Sequence, residues 1–177
     1  QISLGPSESR IIVFDSNGEG EKYNPIDLGH STETVLEGPW HLDLYPVGGA
    51  PEKAVLDQLT DLKQTADHKD FSGTIVYHKE LQIPDAAGKI YLSLGHVNDV
   101  SGLTLNGRSL GARWYGDHIY DLSGSVQKGI NYLEIKIVTT LGAYTKSLKE
   151  NKAAQEWSGG GLFGPTGLTG PVKLLTT

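Results

Sequence analysis

Cysteine and methionine are both missing from this sequence. Without cysteine no disulfide can staple the fold, and no thiolate is available as nucleophile or metal ligand. With no methionine and Gln1 at the start, the expectation is a processed chain or a piece excised from a longer one. Long apolar runs are also missing; none approaches the roughly 20 residues of a membrane-spanning helix. Basic residues are in the minority, 15 against 21 acidic, for a formal charge of −6. A nucleic-acid-binding surface normally shows a basic stripe. None is visible, so nucleic acid is not an expected partner.

What is present is a central stretch from Phe71 to Asn131, with short apolar runs cut by turn signals. The runs recur at intervals of roughly ten residues, the pattern of a β-sandwich. Gly73 to Ile83 alternates, with Ile75, Tyr77, Lys79 and Leu81 in one phase and Val76, His78 and Glu80 in the other. Period-two alternation suits a strand with one buried face. Pro84 ends it, because proline cannot donate to a ladder. Lys89–Leu94 and Val100–Leu105 read as the next two strands. Asn106-Gly107 follows directly, a strong hairpin signal because both residues accept positive φ. His118–Leu122 is a short extended piece, and Asn131–Thr139 alternates cleanly.

At 177 residues the chain is long enough for one large β domain with a substantial core. Before the central stretch, Ile11–Phe14 is an apolar run followed by the glycine-rich polar segment 15–24. Residues 1–24 are therefore expected to be a strand and linker ending a preceding domain, and 25–177 the sandwich. Thr34–Tyr45 reads as one strand, with Trp40 sharing the phase of Leu42 and Leu44 and so expected in the core. Ala54–Leu62 is expected to be a short helix or an irregular cover, and 141–156 a loop with one or two helical turns. The glycine-rich segment 157–170 reads as a return loop, since no lysine-serine pair makes it a phosphate cradle. Pro171–Leu175 closes the fold.

Candidate chemistry is sparse. Glycoside hydrolysis needs two carboxyl groups across the scissile bond. Acidic residues are plentiful here, but no spacing makes any pair converge. Asp15, Asn17, Glu19 and Gly20 begin like a calcium-binding EF-hand loop, yet Ile26 stands where the glutamate is needed. A plain turn is the expectation there, and calcium bound by scattered oxygens stays open. No histidine spacing supports zinc, and His96 reads as a strand-end residue. The best binding candidate is the loop Arg113, Trp114, Tyr115, Asp117 and His118, with Trp157 as a possible flank. Sugar rings present C–H faces that stack on aromatics, and hydroxyls that pair with Arg, Asp and His. The competing reading is that Trp114 and Tyr115 cover a sandwich edge or dock on a neighbouring domain.

Several segments together resemble a known family. LEGPWHLDLYP, FSGTIVYHKELQIP, the run LSLGHVNDVSGLTLNGRSLGARW and the closing GLTGPVKLL are similar to the C-terminal jelly-roll domain of α-L-rhamnosidases of glycoside hydrolase family 106. They are similar as well to the sugar-binding-like domains of family 2. LGPSESRIIVF resembles the strand that closes the domain before it. The resemblance implies an all-β, antiparallel, galactose-binding-domain-like jelly roll of about eight strands. It implies a secreted parent enzyme, catalysis in an upstream domain of the same polypeptide, and no cofactor. One departure stands out: where the family has a proline-aromatic pair after the tryptophan, Trp114 is followed by Tyr115-Gly116-Asp117-His118. The expectations are thus an accessory domain, an autonomous carbohydrate-binding module, or a purely structural cover.

Overall fold

The fold is given by a computed structural model that describes residues 9, 11–16, 18, 26, 28–84, 88–158 and 164–177. Ten strands are formed among them: β1 (Thr32–Val35), β2 (Trp40–Pro46), β3 (Glu52–Leu56), β4 (Gly73–Ile83), β5 (Ile90–Ser93), β6 (Val100–Leu105), β7 (Arg108–Arg113), β8 (Ile119–Asp121), β9 (Gly129–Val138) and β10 (Lys173–Thr176). A four-stranded sheet runs β1-β10-β5-β8, and a six-stranded sheet runs β3-β2-β4-β9-β6-β7. All these strand pairs are antiparallel. The two sheets pack face to face, the antiparallel sandwich anticipated from the strand spacing.

Alternation explains the core. Ile75, Tyr77, Leu81 and Ile83 of β4 point inward, as do Leu133, Ile135 and Ile137 of β9. They meet Ile90, Leu92, Tyr120 and Leu174 from the smaller sheet. Each fully buried aliphatic side chain of this kind contributes about 1.5–3 kcal/mol relative to exposure. Trp40 is 1% exposed and meets Tyr77 edge-on at 6.4 Å, so it belongs to the core. Lys79 breaks the inward phase of β4. Its ammonium lies 4.6 Å from the centre of the Trp40 ring and donates to the Pro39 carbonyl at 3.2 Å. The stem is thus buried while the charge stays at the rim. Desolvation lowers its pKa from the usual lysine value.

The Asn106-Gly107 turn is as expected, with φ of 51° and 79° between paired Leu105 and Arg108. Two other expectations are corrected. Ala54 to Leu56 belong to β3, which completes an edge of the six-stranded sheet beside β2, residues 57–61 are irregular, and a short 3-10 turn begins at Leu62 and ends at Gln64. Pairing with β2 outweighs the weak local propensity of this segment. Residues 34–45 are two strands, not one: β1 joins the small sheet and β2 the large one. The chain crosses between them at Gly38, where an added Cβ would sit 1.8 Å from the Asp57 carbonyl oxygen. Ile11–Phe14 pairs with no strand among the described residues and is 58–95% exposed, and the sheet it is expected to join belongs to a preceding domain. After β9 come two short helices, α1 (Gly142–Ser147) and α2 (Lys152–Ser158).

Candidate functional site

The loop joining β7 to β8 holds most of the candidate residues. Arg113 ends β7, and its guanidinium carbon lies 5.1 Å from the centre of the Tyr120 ring while Nη1 donates to the Ala112 carbonyl. Trp114 is 76% exposed and Tyr115 is 39% exposed. Their ring centres are 6.5 Å apart, with planes tilted by 39°. The Tyr115 hydroxyl accepts a hydrogen bond from the Ser9 backbone N–H at 3.0 Å. This contact ties Ser9 to the loop. Asp117 is exposed, and its carbonyl accepts from the Ile119 N–H.

His118 has a different setting. It is 3% exposed, and its Nδ1 lies 2.6 Å from the Ser101 hydroxyl oxygen. Ser101 also contacts the Tyr120 hydroxyl at 2.7 Å, and Tyr120 donates to the Ser101 carbonyl. Burial, then the Arg113 charge, depresses the His118 pKa, and Asp117 opposes them weakly. Because the Tyr120 proton goes to the Ser101 carbonyl, all three contacts are satisfied when a neutral imidazole donates from Nδ1 to the Ser101 hydroxyl and that hydroxyl donates to Tyr120. Ser101 is fully buried, so this serine-histidine contact offers no nucleophile to a substrate. It joins the two sheets beneath the loop. The sequence carried a signal for it: Ser101 shares the inward phase with Leu103 and Leu105, and such a polar residue demands a buried partner.

Trp157 stands on α2, 90% exposed. Among the described residues it makes no hydrogen bond or ring contact with the loop. The structure therefore brings Arg113, Trp114, Tyr115 and Asp117 together at the surface, turns His118 inward, and leaves Trp157 on a separate element. Asn17, Glu19 and Gly20 of the calcium-like segment, and residues 159–163 of the return loop, lie outside the described residues. Among the described residues no three His, Cys, Asp or Glu side chains are arranged to hold a metal ion. No helix among them is long and apolar enough to cross a membrane.

A second group of polar side chains, unread in the sequence, lies on the outer face of the six-stranded sheet. Lys53 Nζ is 2.6 Å from Asp43 Oδ1, and His78 Nε2 is 3.1 Å from Asp43 Oδ2. Glu134 stands 3.7 Å from the other nitrogen of His78. Lys53, Asp43 and His78 line a shallow groove of about 520 Å³, with His41 and Val55 on its walls. The hydrogen bond from Lys53 lowers the Asp43 pKa, the opposite of what a general acid requires. The sequence shows only one strand's phase at a time, whereas this cluster needs β3, β2, β4 and β9 in register.

No known family model matches the chain. It is similar to the rhamnosidase of Novosphingobium sp. PP1Y, with 26% identity and a TM-score of 0.70 over 85% of this chain and 16% of that one. Its structural neighbours are glycoside hydrolases. The beta-glucuronidase of Ruminococcus gnavus matches 66% of the chain at 22% identity with a TM-score of 0.51, a likeness of fold, and is covered to 22% of its own length. A curated protein of Formosa agariphila, provisionally named a beta-glucuronidase, is 29% identical over 109 residues. That alignment takes in 58% of this chain and 9% of the relative. The chain thus spans 9–22% of the length of these three proteins.

Proposed function

We propose that this chain is the non-catalytic β-sandwich of a secreted, α-L-rhamnosidase-like glycoside hydrolase of family 106, acting from the C-terminal part of a longer polypeptide. One observation carries this reading: 85% of the chain matches only 16% of the rhamnosidase chain. A unit of that proportion is an accessory to the catalytic machinery. The groove on the outer sheet face supports a non-catalytic role, since its one carboxylate with a shifted pKa is held ionised. Ile11–Phe14 supports packing against the rest of such an enzyme. Four consecutive apolar residues, both phases exposed, match a strand that a neighbouring sheet covers on both faces.

In this reading the loop of Arg113, Trp114, Tyr115 and Asp117 contacts carbohydrate at the edge of the substrate groove. The exposure of Trp114 favours a second version, in which the sandwich binds carbohydrate by itself. A purely structural cover is the third. Titration calorimetry of the chain with rhamnose-containing oligosaccharides separates them. Saturable binding that Trp114→Ala weakens by about tenfold, or roughly 1.4 kcal/mol, supports a sugar contact at the loop. No heat of binding at millimolar sugar overturns the autonomous module and leaves the accessory domain or the structural cover, any sugar contact then requiring the upstream part of the enzyme.

A further inference from the structure

We propose that the outer face of the six-stranded sheet is a track for an extended glycan chain. The proposal rests on the carbohydrate-contact reading above and gives it a second, larger surface. Register makes the track. Tyr45 pairs with Thr74, Thr74 with Val138, and Val138 with Val100, all on the outer face. Tyr45, Val138 and Val100 are 47%, 40% and 40% exposed. Ser101 pairs with Arg113, so one step further the same register leads from Val100 toward Trp114. At a strand spacing of about 4.8 Å, the row runs about 14 Å from Tyr45 to Val100 and about 19 Å to Trp114. Several consecutive sugar rings span that length, and a single ring does not.

The next row runs alongside and carries the charges of Lys53, Asp43 and Lys136, with Val76 between Asp43 and Lys136 and Gly102 at the end, again in register across five strands. A glycan is amphipathic in the matching sense. Its ring C–H groups lie on Tyr45, the valines and Trp114, while its edge hydroxyls reach Asp43 as acceptor and the two lysines as donors. A docked protein would have to desolvate Lys53, Asp43, Lys136 and His78, whereas a hydrated glycan leaves them in water.

Gly102 points the same way. Glycine inside a strand costs backbone entropy and often marks a close approach by a ligand. Its φ is not in the left-handed region, and a Cβ there would meet nothing nearer than 3.8 Å. Neither the fold nor the bulge beside it requires a glycine. The bare backbone leaves the floor open between Lys136 and the loop of Trp114.

The test is calorimetry and amide NMR on the 177-residue chain with rhamnose-rich and glucuronate-containing oligosaccharides graded by length, from disaccharide upward. The expected result is affinity that climbs by about tenfold or more with length before levelling off. Amide shifts are expected at Thr74, Val100 and Val138. Gly102→Gln and Val138→Lys, both surface changes, should each weaken the longest ligand by about tenfold with no fall in the unfolding temperature. Affinity independent of length, or shifts confined to residues 113–117, overturns the track and leaves the loop contact standing. No binding by any member overturns both sugar contacts and leaves the accessory domain as a structural unit.

Discussion

At the scale of single residues, the inter-sheet contact of Ser101, His118 and Tyr120 makes stability depend on pH. His118 has its pKa depressed below the ordinary 6.5, chiefly by burial and then by Arg113. Between the folded and unfolded values the unfolded chain holds the extra proton. Stability is therefore complete above about pH 6.5 and falls as the pH drops toward the folded pKa. Asp99 works in the opposite sense and in a different window: burial raises its pKa, so its contribution is present in acid and lost as the pH rises through the carboxylate range. Urea unfolding followed between pH 7.5 and 5 should show the midpoint falling on acidification, and His118→Gln should flatten that slope. A variant with the parent's slope would take His118 out of the account.

At the scale of elements, the crossing between β1 and β2 holds the closest backbone approach to any described glycine. Gly38→Ala drives a Cβ into the Asp57 backbone, where no flexible side chain can yield. The expected cost is about 3 kcal/mol, the upper end for overpacking, read as a lower urea midpoint with an unchanged slope. This same crossing is where the sequence reading failed. The run from Thr34 to Tyr45 looks like one strand because nothing local says that its halves serve different sheets. The register-defining turn at Asn106-Gly107 and the alternation of β9 were legible, since both are written in adjacent residues. β3 was not legible, because its strand character comes from pairing with β2. In the candidate site, exposure of Trp114 followed from its place in a turn-rich loop. The inward turn of His118 did not, because a three-residue strand is too short to announce its phase.

At the scale of the whole molecule, apolar surface is unevenly spread. Ile11 and Phe14 are 94% and 95% exposed, while the core residues are nearly sealed. Replacing both with serine removes no contact inside the sandwich. The unfolding free energy should therefore change by less than about 0.5 kcal/mol. Self-association of the isolated chain, followed by light scattering as concentration rises, should decrease. A large loss of stability would mean that this segment packs on the sandwich in solution.

The small sheet carries a further consequence. The chain comes into the sandwich at Thr32 and leaves it at Thr176, and these two residues are direct partners in the β1–β10 ladder. Tension applied across the domain therefore acts at one end of that ladder. Its hydrogen bonds open in succession, like a zip, instead of sharing the load as a clamp. A polypeptide threaded through this sandwich gives way under small pulling forces, and it gives way between β1 and β10 before the six-stranded sheet feels any strain.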